Sequence, residues 1–379
     1  MKKVLYILSE NLSIGVIRSQ VISHIDFFHK EKLARFEILF CYWSKEEFNK
    51  TKLFLKQNPK LGIKVHFIKI FRPLLFFLNN INLKRINKKI LEIGTIDFIH
   101  ARTDFCVCLL KKLNQKQIKV IWDCRGDSAS ELDHFKCVVF RKSRKDFLNT
   151  RFFLAMKISS KIICVSNFVK RKIEEKNLDM NKEIFKIPSV ASKNFFFFDY
   201  RLRDEIRKKF LINKETIVFI YTGGFQKYQN FEQTLRLYDK IRLKKKNTFF
   251  FILTQDLDMP KVLYNRNDII IKSVEFNQVN KYLNAADYAF CIRTPNNANK
   301  AGSPTKLAEY CLSGLNIITS KGMHHYFEEF SESRNIIYFD ELKNNLLKNN
   351  LKNRKKIANF YVKKISRESF YKVLKKLYD

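Results

Sequence analysis

The chain contains no apolar run approaching the roughly 20 residues that a membrane-spanning helix needs, so it reads as a soluble or peripheral protein. It also lacks any paired C-x-x-C arrangement. Its eight cysteines, at 41, 106, 108, 124, 137, 164, 291 and 311, lie mostly inside apolar runs and read as buried free thiols in a reducing compartment. With nine glycines in 379 residues, neither G-x-G-x-x-G nor G-x-x-x-x-G-K-S/T occurs, which leaves a nicotinamide enzyme or a P-loop phosphotransferase poorly supported. No Ser-His-Asp order and no His/Asp/Cys cluster with metal-ligand spacing stands out. What remains is a site that needs no metal and works by electrostatics. Acidic residues are scarce, 37 Asp+Glu against 73 Lys+Arg, for a net charge of +36.

That excess is spread along the chain: residues 1–190 carry +20 and the remainder +16. An anionic membrane face, small phosphorylated substrates or a nucleic acid would suit such a surface, and so would simple compositional drift. No nucleic-acid module or stacking motif accompanies it, so nucleic acid is not an expected partner. Met1-Lys2-Lys3 followed by Val4 to Leu8 begins like a signal peptide, but Ser9-Glu10-Asn11 ends the apolar run early, and a first buried strand is the better reading.

The first half alternates apolar strands near 3–8, 36–42, 64–70, 97–101, 118–123 and 161–165 with helical patterns such as Arg18 to Lys30, Asp104 to Leu113 and Asn167 to Lys176. This is the β-then-α order of a parallel sheet covered on both faces. A Phe-rich connector, Ser189 to Tyr200, separates it from a second alternation with strands near 217–222, 248–254, 268–272, 288–292, 315–319 and 336–339. The expected domains are 1–190 and 191–355, with 356–379 as a closing helix whose stripe Phe370, Val373, Leu374 and Leu377 docks on the rest.

Chemistry-bearing residues follow strands. Gly15 follows the first; His100, Ala101 and Arg102 the fourth; Arg125 and Gly126 the fifth, which ends at Asp123; Ser166 the sixth. In the second half Gly223 and Gly224, with Lys227 nearby, and Arg293 do the same. The stretch Gly302 to Gly314 reads as a short helix with Ser303 as N-cap, Pro304 in the first turn and Gly314 ending it. Leu307, Ala308, Cys311 and Leu312 share one side, while Thr305, Lys306 and Glu309 share the other, near the positive end of the dipole. This is either an ordinary capped amphipathic helix or an anion site with a carboxylate one turn further in. Similar alternatives hold for Gly223-Gly224 (diphosphate approach or plain turn), Arg293 (anion ligand or solvated side chain) and His100 (general acid or locally bonded imidazole). Asp123, Arg125, Asp127 and Glu131 form an acceptor-side cluster or an internal salt-bridge network. The run Arg72 to Leu91 reads as a membrane-surface helix or as a packed helix with a solvated basic side.

Taken in order, Ile99-His100-Ala101-Arg102, Trp122-Asp123-Cys124-Arg125-Gly126, Val165-Ser166-Asn167, Ile187-Pro188-Ser189, Tyr221-Thr222-Gly223-Gly224 and Ser303-Pro304-Thr305-Lys306-Leu307-Ala308-Glu309-Tyr310 resemble the retaining family-4 glycosyltransferases. The likeness is greatest to members that build bacterial surface polysaccharides such as capsule and lipopolysaccharide. The resemblance implies an α/β, GT-B fold of two facing Rossmann-like domains with a C-terminal helix crossing back to the N-terminal domain. It implies hexose transfer with retention from a nucleotide diphosphate sugar, a UDP-sugar being the expected donor, to a saccharide acceptor that is lipid-linked, without metal or other cofactor. Glu309 would hold the ribose; Ser303, Pro304, Thr305 and Lys306 would surround the diphosphate, with Arg293, Lys227, Gly223 and Gly224 beside it. Gly15 and His100 would approach the donor sugar, and Arg102, Asp123 and Arg125 would lie on the acceptor side. The expected location is the cytoplasm, with peripheral contact at the inner face of an anionic membrane. Two positions depart from the pattern: Ala301 stands where many relatives have glutamate, and the usual Arg and Lys after the second domain's first strand are reduced to Gly224 and a displaced Lys227. The other reading is a non-catalytic relative acting as a scaffold or partner subunit at an anionic surface.

Overall fold

The structure is a computed structural model that describes residues 1–71, 79–113, 117–135, 138–176, 181–256, 260, 263, 266–327, 335–342, 347 and 351–379. Of the run 72–91, residues Arg72, Leu74, Leu75, Phe77 and Leu78 lie outside the described residues. The chain forms two compact units: one of Met1–Pro188, Ala301–Ser303 and Phe370–Asp379, the other of Ser189–Lys300 and Pro304–Ser369.

The first unit is built on seven strands: β1 (Lys2–Leu8), β2 (Ala34–Tyr42), β3 (Lys64–Lys69), β4 (Phe98–Arg102), β5 (Lys119–Cys124), β6 (Lys161–Cys164) and β7 (Glu183–Lys186). All pair parallel, in the order 3-2-1-4-5-6-7. The sequence reading had six strands; Glu-Ile-Phe-Lys of β7 is too short to show a pattern, and its pairing with β6 is what makes it a strand. Side chains alternate between two buried faces, as a covered parallel sheet requires. Leu39, Cys41 and Ile99 enter one apolar cluster, while Ile38, Phe40 and Phe98 enter the other.

The described part of the run 72–91 lies in the helix Asn79–Ile93. Leu83, Ile86 and Ile90 are buried in the sheet's cover, so it is a packed helix, although Ile81 and Leu91 stay exposed.

The second unit has six parallel strands, β8 (Ile217–Thr222), β9 (Thr248–Leu253), β10 (Ile269–Lys272), β11 (Tyr288–Cys291), β12 (Asn316–Thr319) and β13 (Ile336–Tyr338), in the order 10-9-8-11-12-13. Under its core lies a buried charge knot. Asp287 accepts from Arg203 at 2.6 Å, from Arg207 at 2.8 Å and from the Val218 backbone N–H at 2.8 Å. Arg354, 1% exposed, donates to the carbonyls of Asn284, Leu283 and Ser313. Burial, with Arg203 nearby, pushes the Arg354 guanidinium down to about 9.

The chain's end differs from a single closing helix. Leu351–Ile365 remains in the second unit, with Tyr361 and Ile365 in its core and the Tyr361 hydroxyl donating to Asn335 at 3.1 Å. After a one-turn break at Glu368–Phe370, a short helix Tyr371–Lys376 belongs to the first unit, where Leu374, Leu377 and Tyr378 are buried. The closing helix read over 356–379 is broken at Ser366-Arg367-Glu368, ahead of the stripe Phe370 to Leu377, and there Ser192 donates to Glu368 at 3.0 Å.

Each sheet reverses its strand order once, between β1 and β4 and between β8 and β11. Ligands of doubly wound sheets bind outside the carboxyl ends of the strands at such a switch point.

Candidate functional site

At the second unit's switch point the chain leaves β8 through Gly223, whose backbone N–H donates to the Leu253 carbonyl and whose φ of +132° excludes ordinary L side chains. A Cβ there would also come within 2.9 Å of the Lys306 Nζ. Gly224 is less constrained: a Cβ there would meet only the ends of the Asp256 and Gln226 side chains. Asp256 fixes this loop by accepting from the Phe225 N–H at 2.7 Å.

The helix that faces this loop is Thr305–Leu312. Pro304, with ψ of 120°, is its N-cap residue, so the helix begins one position later than the sequence suggested and Ser303 lies outside it. Gly314 has φ of +72° and ends the helix as read, with its Cα against the Arg354 backbone. Leu307, Ala308, Cys311 and Leu312 are fully buried. Tyr310, also buried, ties the helix to β8, its hydroxyl accepting from the Thr222 N–H at 2.9 Å.

Lys306 is thereby held over the Tyr221 ring, 4.3 Å from its centroid, and donates to Gln229 Oε1 at 3.0 Å. Burial, with the Arg293 charge adding to it, pushes the ammonium down to about 7. A partly desolvated cation short of counter-charge is what an anionic ligand would relieve.

Arg293, 6% exposed, follows β11; its N–H donates to Ser320 Oγ at 2.8 Å, and its guanidinium donates to the Tyr228 carbonyl at 2.8 Å and lies 5.0 Å from that ring's centroid. Gly322 leaves room for the Arg293 carbonyl, which a Cβ would meet at 2.6 Å. Lys227 begins the turn Lys227–Gln229 and is exposed; Gln229 of the same turn, not Lys227, reaches Lys306. Glu309 sits one turn into the helix, partly buried, and its charge opposes the depression of Lys306. Tyr221, Tyr228 and Gln229 were missed from sequence, since a tyrosine at a strand end and a glutamine in a turn carry no pattern of their own.

At the first unit's switch point His100 is enclosed. It is 2% exposed, stacked on Tyr6 at 4.4 Å between centroids, with Nδ1 2.6 Å from the Tyr378 hydroxyl and Nε2 3.7 Å from Asp123 Oδ2. The same hydroxyl lies 3.1 Å from His24 Nε2. Asp123 accepts from Tyr6 at 3.0 Å and from Arg125 at 3.2 Å, and Arg102 Nη1 is 3.6 Å away. Burial alone would raise this carboxyl, but Arg125, His100 and Arg102 outweigh it and hold the group well below the usual carboxylate range.

Arg102 donates from Nε to Glu10 at 2.8 Å, while its Nη1 and the other Glu10 oxygen are buried without a hydrogen bond. Asp127 belongs to a separate salt bridge, accepting from Lys172 at 2.9 Å. Gly15 opens the helical turn Gly15–Ile17, and a Cβ there would meet nothing within 4 Å, so packing within the unit does not require glycine. Tyr6, Glu10, His24 and Tyr378 complete this network. Only the position of Glu10 just past the first strand could have flagged any of them.

Ala301, which counts with the first unit, is fully buried in its apolar cluster, and its carbonyl accepts from Ser166 Oγ at 3.0 Å. Among the described residues no group of three or more His, Cys, Asp or Glu is arranged to hold a metal ion.

No protein-family model and no curated protein matches the chain. Solved structures do. Sucrose-phosphate synthase from Thermosynechococcus elongatus is similar with a TM-score of 0.67 at 10% identity, over 100% of this chain and 98% of that one. HepE from Anabaena, in complex with UDP-glucose, is similar with a TM-score of 0.66 at 11% identity, over 100% and 99%. A glycosyltransferase from Rickettsia africae gives 0.63 at 13% identity, over 100% and 97%. At such identity the likeness is one of fold, and the fold is GT-B: two Rossmann-like domains on parallel sheets of seven and six strands.

Proposed function

We propose that the chain is a retaining glycosyltransferase that moves a hexose from a UDP-sugar to a saccharide, lipid-linked acceptor in bacterial surface polysaccharide synthesis, at the cytoplasmic face of the membrane. The observation that carries the reading is the Lys306 ammonium, partly buried and lowered to about 7, held against Gly223 at the switch point with Glu309 one turn away. HepE, of like fold, is known in complex with UDP-glucose and with UDP, which supports the choice of donor.

In this reading Lys306 and Arg293 neutralise the diphosphate, together with Thr305 at the helix start, Ser303 and Pro304 before it, and Lys227 on the neighbouring turn. Gly223 and Gly224 let the backbone approach, and Glu309 accepts from the ribose hydroxyls. Gly15 lies on the sugar's side, and Arg102, Asp123 and Arg125 on the acceptor's. His100, whose buried Nε2 makes no hydrogen bond and lies 3.7 Å from Asp123, is placed with Gly15 on the sugar's side.

No protein nucleophile is required. The bond from the sugar's anomeric carbon to the diphosphate oxygen breaks, the acceptor oxygen bonds to that carbon on the same face, and the acceptor's proton passes to the departing diphosphate. The chain supplies position and positive charge where negative charge grows. No metal is called for where Lys306 and Arg293 carry that charge.

Ala301 supports the scaffold alternative less once its methyl is seen inside an apolar cluster, where it has a packing role. Release of UDP from a panel of UDP-sugars tests the assignment. Glu309→Ala and Lys306→Ala each lower turnover about 100-fold or more with the melting transition retained; full activity in both variants refutes it.

A further inference from the structure

We propose that the first unit docks on an anionic lipid bilayer through the loop that ends at Phe140 and the start of the helix Arg141–Ile158. Three large apolar side chains stand in water there: Phe135, Val139 and Phe140 are 61%, 66% and 78% exposed. Phe140 has φ of +54°, a left-handed backbone that a bulky residue adopts only when its surroundings hold it. The hold comes from behind. The Arg141 guanidinium donates to the Leu132 carbonyl at 2.9 Å and to the Phe135 carbonyl, and Lys145 pairs with Asp133 at 2.7 Å. These contacts hold the chain on either side of Phe135 and Phe140, whose side chains stand exposed.

The helix that follows breaks its own rules. It has no acidic residue in its first turn and no side-chain cap, yet opens with Arg141, Lys142, Arg144 and Lys145 at the positive end of its dipole, where cations are unfavourable. Arg141 and Lys145 are answered by the Leu132 and Phe135 carbonyls and by Asp133, which leaves Lys142 and Arg144 as the cations turned to solvent. The stretch 135–145 contains no acidic residue. Apolar side chains at a tip with cations directly behind them match an acyl interior beneath anionic head groups.

The position suits the role. The helix runs back to Lys161, where β6 begins, so its start lies at the carboxyl edge of the parallel sheet. Ile14 and Val16 just after β1, 43% and 46% exposed, and Phe71 after β3, 37% exposed, follow strand ends on that same edge. Among the described residues no helix is long and apolar enough to cross a membrane, so attachment would be peripheral. The proposal rests on the proposed function for its purpose, the delivery of a lipid-linked acceptor, but the binding needs no turnover.

The test is co-sedimentation of the full chain with vesicles of phosphatidylcholine alone and of phosphatidylcholine with phosphatidylglycerol. Expected is binding to the anionic vesicles that weakens with salt. It falls about 25-fold in Lys142→Ala/Arg144→Ala, at about fivefold per basic residue near such a surface. Phe135→Ser/Val139→Ser/Phe140→Ser loses it, and in Phe140→Trp the added emission shifts to the blue on binding.

Leu211→Ser/Leu243→Ser removes two exposed leucines of the second unit, 89% and 83% exposed beside lysines, and leaves binding unchanged. The proposal fails if the loop variants bind like the parent, if the leucine variant loses binding instead, or if Phe140→Trp stays in water while the chain sediments. Loop variants that change self-association but not vesicle binding also overturn it, by making the surface a protein interface. Vesicle binding kept by a chain that turns over no UDP-sugar would sink the transferase reading and leave this one standing.

Discussion

In the proposed reading, the depressed ammonium of Lys306 makes donor binding a proton-linked event. Burial disfavours its charge and pushes it down to about 7. A bound diphosphate restores the charge, so UDP binding takes up a proton wherever the free ammonium is deprotonated. With a free value of about 7, the protonated fraction falls from about one half at pH 7 to about one hundredth at pH 9, and the UDP dissociation constant rises about fivefold from pH 7 to 8 and about 50-fold from pH 7 to 9. The terminal phosphate, with its second ionisation near 6, changes little over that window.

Calorimetric titration in two buffers of different ionisation enthalpy reads both quantities, and at pH 8 it should find close to one proton taken up per UDP. Lys306→Arg keeps its charge throughout and flattens the profile. The stability sign is opposite to that of a helpful ion pair. The unfolded lysine binds more protons than the folded one between about 7 and 10.5, so stability rises with pH across that window and Lys306→Met stabilises the apo protein most below pH 7. A dissociation constant unchanged from pH 7 to 9 in the parent chain, with no proton uptake, would refute the reasoning.

Asp287→Asn leaves Arg203 and Arg207 buried without their counter-charge and should cost about 3–5 kcal/mol in urea unfolding. Tyr378→Phe deletes the hydroxyl that bonds both His24 and His100; about 1–3 kcal/mol of stability should be lost, and retention of full stability would mean the bridge is not made in solution. Ala301→Glu, which introduces the residue that the resemblance to family-4 glycosyltransferases leads one to expect there, should lower the melting temperature without raising turnover, because the side chain enters an apolar cluster. A more active variant would show the position to be a lost sugar contact.

The two-sheet architecture was legible because covered parallel strands are nearly continuous apolar runs, as Val4 to Leu8 and Ile217 to Tyr221 show, separated by helical periodicity. Where the local signal is brief it failed: Glu183–Lys186 has four residues, and the helix read over 356–379 is broken after Ile365. Lys306 and Gly223 could be singled out separately, but their approach depends on two elements that are distant in sequence. His100 shows the converse. Its place after a strand was readable, while its enclosure is made by Tyr378, near the far end of the chain, and no local pattern announces that.

The central claim is that the second unit holds a nucleoside diphosphate through Lys306, Arg293 and Glu309. Thermal unfolding of the chain with a panel of nucleoside mono- and diphosphates and their sugars tests it most directly. The account predicts a rise in melting temperature with one nucleoside diphosphate, UDP, and with its sugars, growing with concentration as a bound ligand requires and lost in Glu309→Ala. A melting temperature indifferent to every nucleotide, or raised equally by all of them and by inorganic phosphate, would contradict it.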